Sequence, residues 1–130
     1  MGLMLLPGLI STSEKEVYDV LKAYIAWTTT GICEEETLFD DTVGLSFQAV
    51  GGENAVDFSD YREKVEGAAR AVSRNMGIHH VKVENDIATA QITDCSQEHH
   101  FDLIHQVTLH QVRRTWKIQS IRIVPKDDLP

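Results

Sequence analysis

The chain has only two cysteines, Cys33 and Cys95, far apart and without any C-x-x-C spacing. That excludes zinc-knuckle and thioredoxin-type motifs. The pair reads as reduced thiols of a cytoplasmic protein. Basic residues are also scarce: 12 Lys and Arg face 20 Asp and Glu, for a net charge of −8. Nucleic-acid binders neutralise phosphates with Lys and Arg, so a nucleic-acid partner is not expected, and a basic lipid anchor is missing for the same reason. No apolar run approaches the roughly 20 residues that cross a bilayer. The opening MGLMLLPGLISTS lacks a positive start, is broken by Pro7-Gly8 and has no small-residue cleavage site. It reads as an N-terminal extension, residues 1–12, lying on the domain or on a partner chain rather than as a secretion signal. Gly51-Gly52 is an isolated turn pair followed by Glu53, not a phosphate loop. There is no G-x-S-x-G elbow and no Cys–His nucleophile pattern, so no nucleotide, redox or other cofactor is expected.

What is present suits one compact domain spanning residues 1–130, with a core over about 14–124 and a short acidic tail. An apolar share of 42% and a charged share of 25% are ordinary for a soluble globular protein. Ser13 and Glu16 stand at capping-box spacing. Val17, Val20, Leu21, Tyr24, Ile25 and Trp27 or Thr28 then recur with helical period. Thr28-Thr29-Thr30-Gly31 ends that helix. A short acidic helical turn over Cys33 to Phe39 and a strand over Val43 to Val50 follow. A further helix, capped by Ser59 or Asp60, runs through Tyr61, Val65, Ala68 and Ala69 to Val72.

The second half alternates as antiparallel strands. His79-Val81-Val83 turn at Asn85-Asp86 into Ala88-Ala90-Ile92, and a strand from about His99 to Val112 turns at Arg113-Arg114 into Trp116 to Val124. Helices followed by a meander of long strands make an α+β domain with the helices on one face of the sheet.

Tyr24-Ile25-Ala26-Trp27 at the end of the first helix, Leu38-Phe39-Asp40-Asp41-Thr42-Val43 entering the first strand, and the closing Trp116-Lys117-Ile118-Gln119-Ser120-Ile121 resemble the NTF2-like superfamily. This group includes nuclear transport factor 2, ketosteroid isomerase and the SnoaL-type cyclases. The resemblance covers about residues 14–124 and implies an NTF2-like cone: helices packed on a strongly curved antiparallel or mixed sheet around a cavity, commonly as a dimer. It carries the isomerase's tyrosine onto Tyr24, its general base near Ser46 and its oxyanion-hole acid onto Thr108. Ser46 is not a carboxylate and Thr108 is a far weaker acid, so isomerisation by that mechanism is rejected.

Strand alternation places the remaining candidates. If Arg113-Arg114 is a two-residue turn, Thr108 opposes Gln119, Gln106 opposes Ile121 and Ile104 opposes Ile123. These join His80, Lys82, Thr89, Gln91, His100, Asp102 and His110 on a mixed face. Phe101, Leu103, His105, Val107, Leu109, Trp116 and Ile118, with His79, Val81 and Val83, form the more apolar face. The resemblance turns the mixed face into the cavity and leaves the apolar face for a second subunit. Hydrophobicity alone would pack the apolar face on the helices. The first arrangement is favoured because both faces carry too many large apolar groups for exposure, and it implies a homodimer through the outer sheet face.

The adjacent pairs His79-His80 and His99-His100 split between faces, so no metal site is expected. His80, His100 and Asp102 are the candidate acid/base residues. Tyr24, Ser46, Gln106, Thr108 and Ile121 are the candidate ligand-binding residues. Three functions follow: cofactor-free dehydration, isomerisation or cyclisation; binding of a small apolar or aromatic molecule without chemistry; or protein interaction through the outer sheet face.

Overall fold

A computed structural model describes residues 12–30, 38–49, 52–68, 74–96 and 101–125. Helix α1 spans Thr12–Thr30. Its apolar stripe, Val17, Val20, Leu21, Tyr24 and Trp27, is buried. At its end Thr28 and Thr29 donate their hydroxyls to the carbonyl of Ile25, and Thr30 donates to that of Ala26, at 2.7–2.9 Å. Side chains that bond back to the preceding turn make such a run a weak helix continuation. Helix α2 spans Phe58–Ala68. Its cap is Asp57, whose Oδ1 accepts from the backbone N–H of Ser59 at 2.8 Å and of Asp60 at 3.2 Å. The helix therefore begins before the expected caps, Ser59 and Asp60, because Asp57 already satisfies its first free N–H groups.

Among the described residues there are six strands, β1 Phe39–Ala49 and β2 Gly52–Val56 between the two helices, then β3 Arg74–Glu84, β4 Ile87–Ser96, β5 Phe101–Val112 and β6 Thr115–Pro125. They form one open mixed sheet in the order β2-β1-β6-β5-β4-β3. The β1–β6 pair is parallel and the other neighbours are antiparallel. The edge strand β2 was not expected, since GENAV offers almost no apolar alternation to reveal it. The N-terminal extension before Thr12, the acidic turn beginning at Cys33, the stretch Ala69–Val72, His99, His100 and the tail from Lys126 lie outside the described residues. Among the described residues no helix is long and apolar enough to cross a membrane.

The β5–β6 register corrects the sequence expectation. From the Arg113-Arg114 turn, pairing runs as expected through Leu109↔Ile118, and then Gln119 is bulged out. Thr108 thus opposes Ser120, Gln106 opposes Arg122, and Ile121 and Ile123 oppose Val107 and His105. One extra residue on one strand moves every later side chain to the other face. Ile121 and Ile123 consequently join Leu45, Ala88, Ala90, Ile92, Val107, Leu109 and Ile118 in the core against α1. A second bulge, at His80-Val81, places His79 opposite Gln91, on the face away from the helices.

The apolar face is therefore packed on the helices and the mixed face lies outside, the reverse of the favoured arrangement. Hydrophobic burial decides it, because each large aliphatic chain in the core is worth about 1.5–3 kcal/mol over exposure. The helix side is closed by an aromatic cluster. Trp27 lies 4.9 Å from Phe39 between ring centroids, and Phe39 lies 4.6 Å from Phe58. The Trp27 indole N–H donates to Glu66 on α2 at 3.4 Å, and Arg62 holds the same carboxylate at 3.0 Å.

Candidate functional site

Two polar residues interrupt the apolar face. Along β4 the inward positions read Ala88, Ala90, Ile92, Asp94, and along β5 they read Leu103, His105, Val107, Leu109. Ile92 is the direct neighbour of His105, so Asp94 lies diagonally from it on the same face. From above, Tyr24 descends off α1 in the helical stripe that also carries Leu21 and Trp27.

The three meet in a chain. The Tyr24 hydroxyl is 2.7 Å from His105 Nδ1, and His105 Nε2 is 3.1 Å from Asp94 Oδ2. All are buried, at 0%, 1% and 2% exposure. A carboxylate can only accept, so Nε2 carries the ring proton and donates to Asp94. Nδ1 is then the acceptor for the Tyr24 hydroxyl. Each partner sets the role of the next, and the neutral imidazole is held in one tautomer and one orientation. The Tyr24 ring is edge-on to His105 at 5.8 Å and to Phe39 at 6.3 Å, so its phenol is the polar end of an otherwise aromatic environment.

The structure brings only Tyr24 of the expected residues to this place. Ile121 is buried in the core nearby, as a packing residue. Gln106 and Thr108 face away from the helices, and Ser46 pairs with Arg122 on that same side. Tyr24 and Thr108 thus lie on opposite sides of the sheet and cannot polarise one substrate together. His80 is exposed on the outer side with φ +56°, at the first position of its bulge. Asp102 pairs with Cys95 through the backbone, its side chain lying outside the described residues with His100. The expectations missed Asp94 and His105 as site residues. A lone Asp and a lone His at core positions of adjacent strands were the available signal, since buried polar groups must find partners.

The outer face carries its own features. A groove of about 370 Å³ lies over β3, β4 and β5, lined by His80, Lys82, Thr89, Gln91, Gln106 and Thr108, with Ala90 and Val107 between them. Nearer the hairpin end, Asp40 accepts from the Thr42 N–H at 2.9 Å, from the Thr42 hydroxyl at 3.0 Å, and from His110 Nε2. The Thr42 backbone N–H, then His110 and the Thr42 hydroxyl, hold the Asp40 carboxyl at about 2, below its ordinary 3.8. Among the described residues no cluster of three His, Cys, Asp or Glu could hold a metal ion.

No protein-family model matches the chain, and no curated protein matches it. Solved structures do. An NTF-2 like protein of unknown function from Silicibacter pomeroyi superposes with TM-score 0.73 at 19% identity, over 90% of this chain and 100% of its own. An NTF2-like protein of unknown function from Methylobacillus flagellatus gives 0.74 at 15% identity, over 89% and 94%. A protein of unknown function with a cystatin-like fold from Nostoc punctiforme gives 0.60 at 12% identity, over 94% and 97%. At these identities the likeness speaks of architecture: two helices packed on an open six-stranded mixed sheet. This chain has the NTF2-like, cystatin-like fold.

Proposed function

We propose that the protein carries out cofactor-free proton transfer on a small apolar or aromatic molecule, with Tyr24, His105 and Asp94 as the working groups. The ordered chain carboxylate–imidazole–phenol is the observation that supports this reading. Asp94 stabilises the imidazolium that forms when His105 Nδ1 takes the Tyr24 proton. The phenolate oxygen is then the base for a C–H bond next to a substrate carbonyl, and the proton returns by the same route. Trp27 and Phe39, packed around the Tyr24 ring, suit an apolar or aromatic substrate. Because Tyr24 is fully buried, the substrate enters by displacing part of the wall above it.

That same burial favours a second reading, in which the chain is a satisfied core network that fixes α1 on the sheet and performs no chemistry. One experiment separates them. Purified protein is incubated in D2O with 2-tetralone, and exchange at the carbons beside the carbonyl is followed by proton NMR. The catalytic reading expects exchange above the buffer rate, lost in Tyr24→Phe. Exchange no faster with wild type than with folded Tyr24→Phe leaves the structural reading.

A further inference from the structure

We infer that the helix-free face of the sheet carries a binding site for a small polar oxyanion, a molecule bearing a carboxylate or phosphate group, in the groove over β3, β4 and β5. The groove is separate from the Tyr24–His105–Asp94 chain, since the sheet lies between them. Its 370 Å³ is at the lower end of small-molecule sites, which run to about 300–1,000 Å³.

Charge is the first argument. The chain has 12 Lys and Arg against 20 Asp and Glu. Residues 74–96 and 101–125, which build β3 to β6, hold six of those bases and four of those acids, so the rest of the chain holds six against sixteen. Strands β3 to β6 thus carry a slight basic excess in an acidic protein, and among the described residues no carboxylate lines the groove.

The lining chemistry is the second argument. Two cross-strand rows face outward together, Lys82–Thr89–Thr108–Ser120 and His79–Gln91–Gln106–Arg122. Gln106 Oε1 accepts from Arg122 at 2.9 Å, so the Gln106 NH2 is the donor left for a ligand. Thr89, Thr108 and Gln91 add hydroxyl and amide donors. Lys82 pairs with Glu84 at 3.1 Å, but both side chains are about 70% exposed, and such a pair opens at little cost.

Backbone geometry is the third. His80 takes φ +56° at the bulge position where glycine is the usual residue. An imidazole kept in that strained place adds a donor to the groove wall, and strain of this kind gathers at ligand sites.

The test is a 1H–15N NMR titration of the protein with sodium succinate and, separately, with inorganic phosphate, against sodium chloride at matched ionic strength. Saturable shifts are expected at the amides of Thr89–Gln91 and Gln106–Thr108 with at least one of the two anions and not with chloride. The double variant His80→Asn, Lys82→Gln should bind at least tenfold more weakly at an unchanged melting temperature, asparagine being at ease at positive φ. Three results overturn the proposal: shifts that never saturate, shifts unaffected by the double variant, or shifts at these amides that follow protein concentration alone with dimerisation in sedimentation. The last would assign the face to a second copy of the chain.

Discussion

Asp94 accepts the Nε2 proton of His105 at 3.1 Å from the neighbouring strand, and that single contact determines which ring nitrogen is left for Tyr24. In its neutral form the His105 ring should therefore carry its proton on Nε2, read directly from 15N shifts of the imidazole nitrogens. A ring protonated on Nδ1 would contradict the assigned order of donors.

Tyr24→Phe keeps the ring and removes only the hydroxyl. His105 Nδ1 is left as a buried acceptor with nothing to replace water, a loss of about 1–3 kcal/mol. Urea unfolding monitored by circular dichroism measures it. A change below experimental error would mean that the hydroxyl contributes no net stability.

The two faces of β5 and β6 make opposite claims about neighbouring residues. Ile121→Ala should cost about 2–5 kcal/mol, as expected for an aliphatic chain cut from a packed core. Thr108→Ala, on the outer face, should stay within about 0.5 kcal/mol. Comparable losses would mean that the Gln119 bulge is misplaced.

Arg113 and Arg114 both adopt positive φ, +51° and +68°, in the two-residue loop between β5 and β6. Arginine is strained there, whereas Asn-Gly is the favoured pair for such a loop. The double substitution Arg113→Asn, Arg114→Gly should raise stability by about 0.5–2 kcal/mol, seen as a higher melting temperature.

Asp40 sets an acid limit. Its carboxyl titrates at about 2 in the folded protein against an ordinary 3.8. A depressed carboxylate contributes its stability in full above the unfolded value and loses it as pH falls through the folded one. Between pH 4 and pH 2 the urea midpoint of the wild type should fall further than that of Asp40→Asn. Parallel curves would show that the Thr42 and His110 contacts do not persist in solution.

Much of the fold was legible because it rests on periodicity. The stripe Val17–Leu21–Tyr24 and the alternation Leu103–His105–Val107–Leu109 each gather their apolar members on one side of their element. The edge strand β2 was not, because GENAV has no pattern strong enough to distinguish it from a loop. The cap of α2 slipped because Asp57, Ser59 and Asp60 are all competent capping residues and only the chain path chooses among them.

The site was less legible, for a physical reason that can be located at Gln119. One bulged residue reverses the facing of Ile121 and Ile123, and nothing local to Lys117-Ile118-Gln119-Ser120 announces it. The composition, the helical stripe and the strand alternation by themselves determined an acidic α+β domain with one two-faced sheet. Which face meets the helices, and that Asp94, His105 and Tyr24 converge from three elements, was decided only in three dimensions, where burying the aliphatic face brought the two polar residues on it within hydrogen-bond reach of each other and of the tyrosine above.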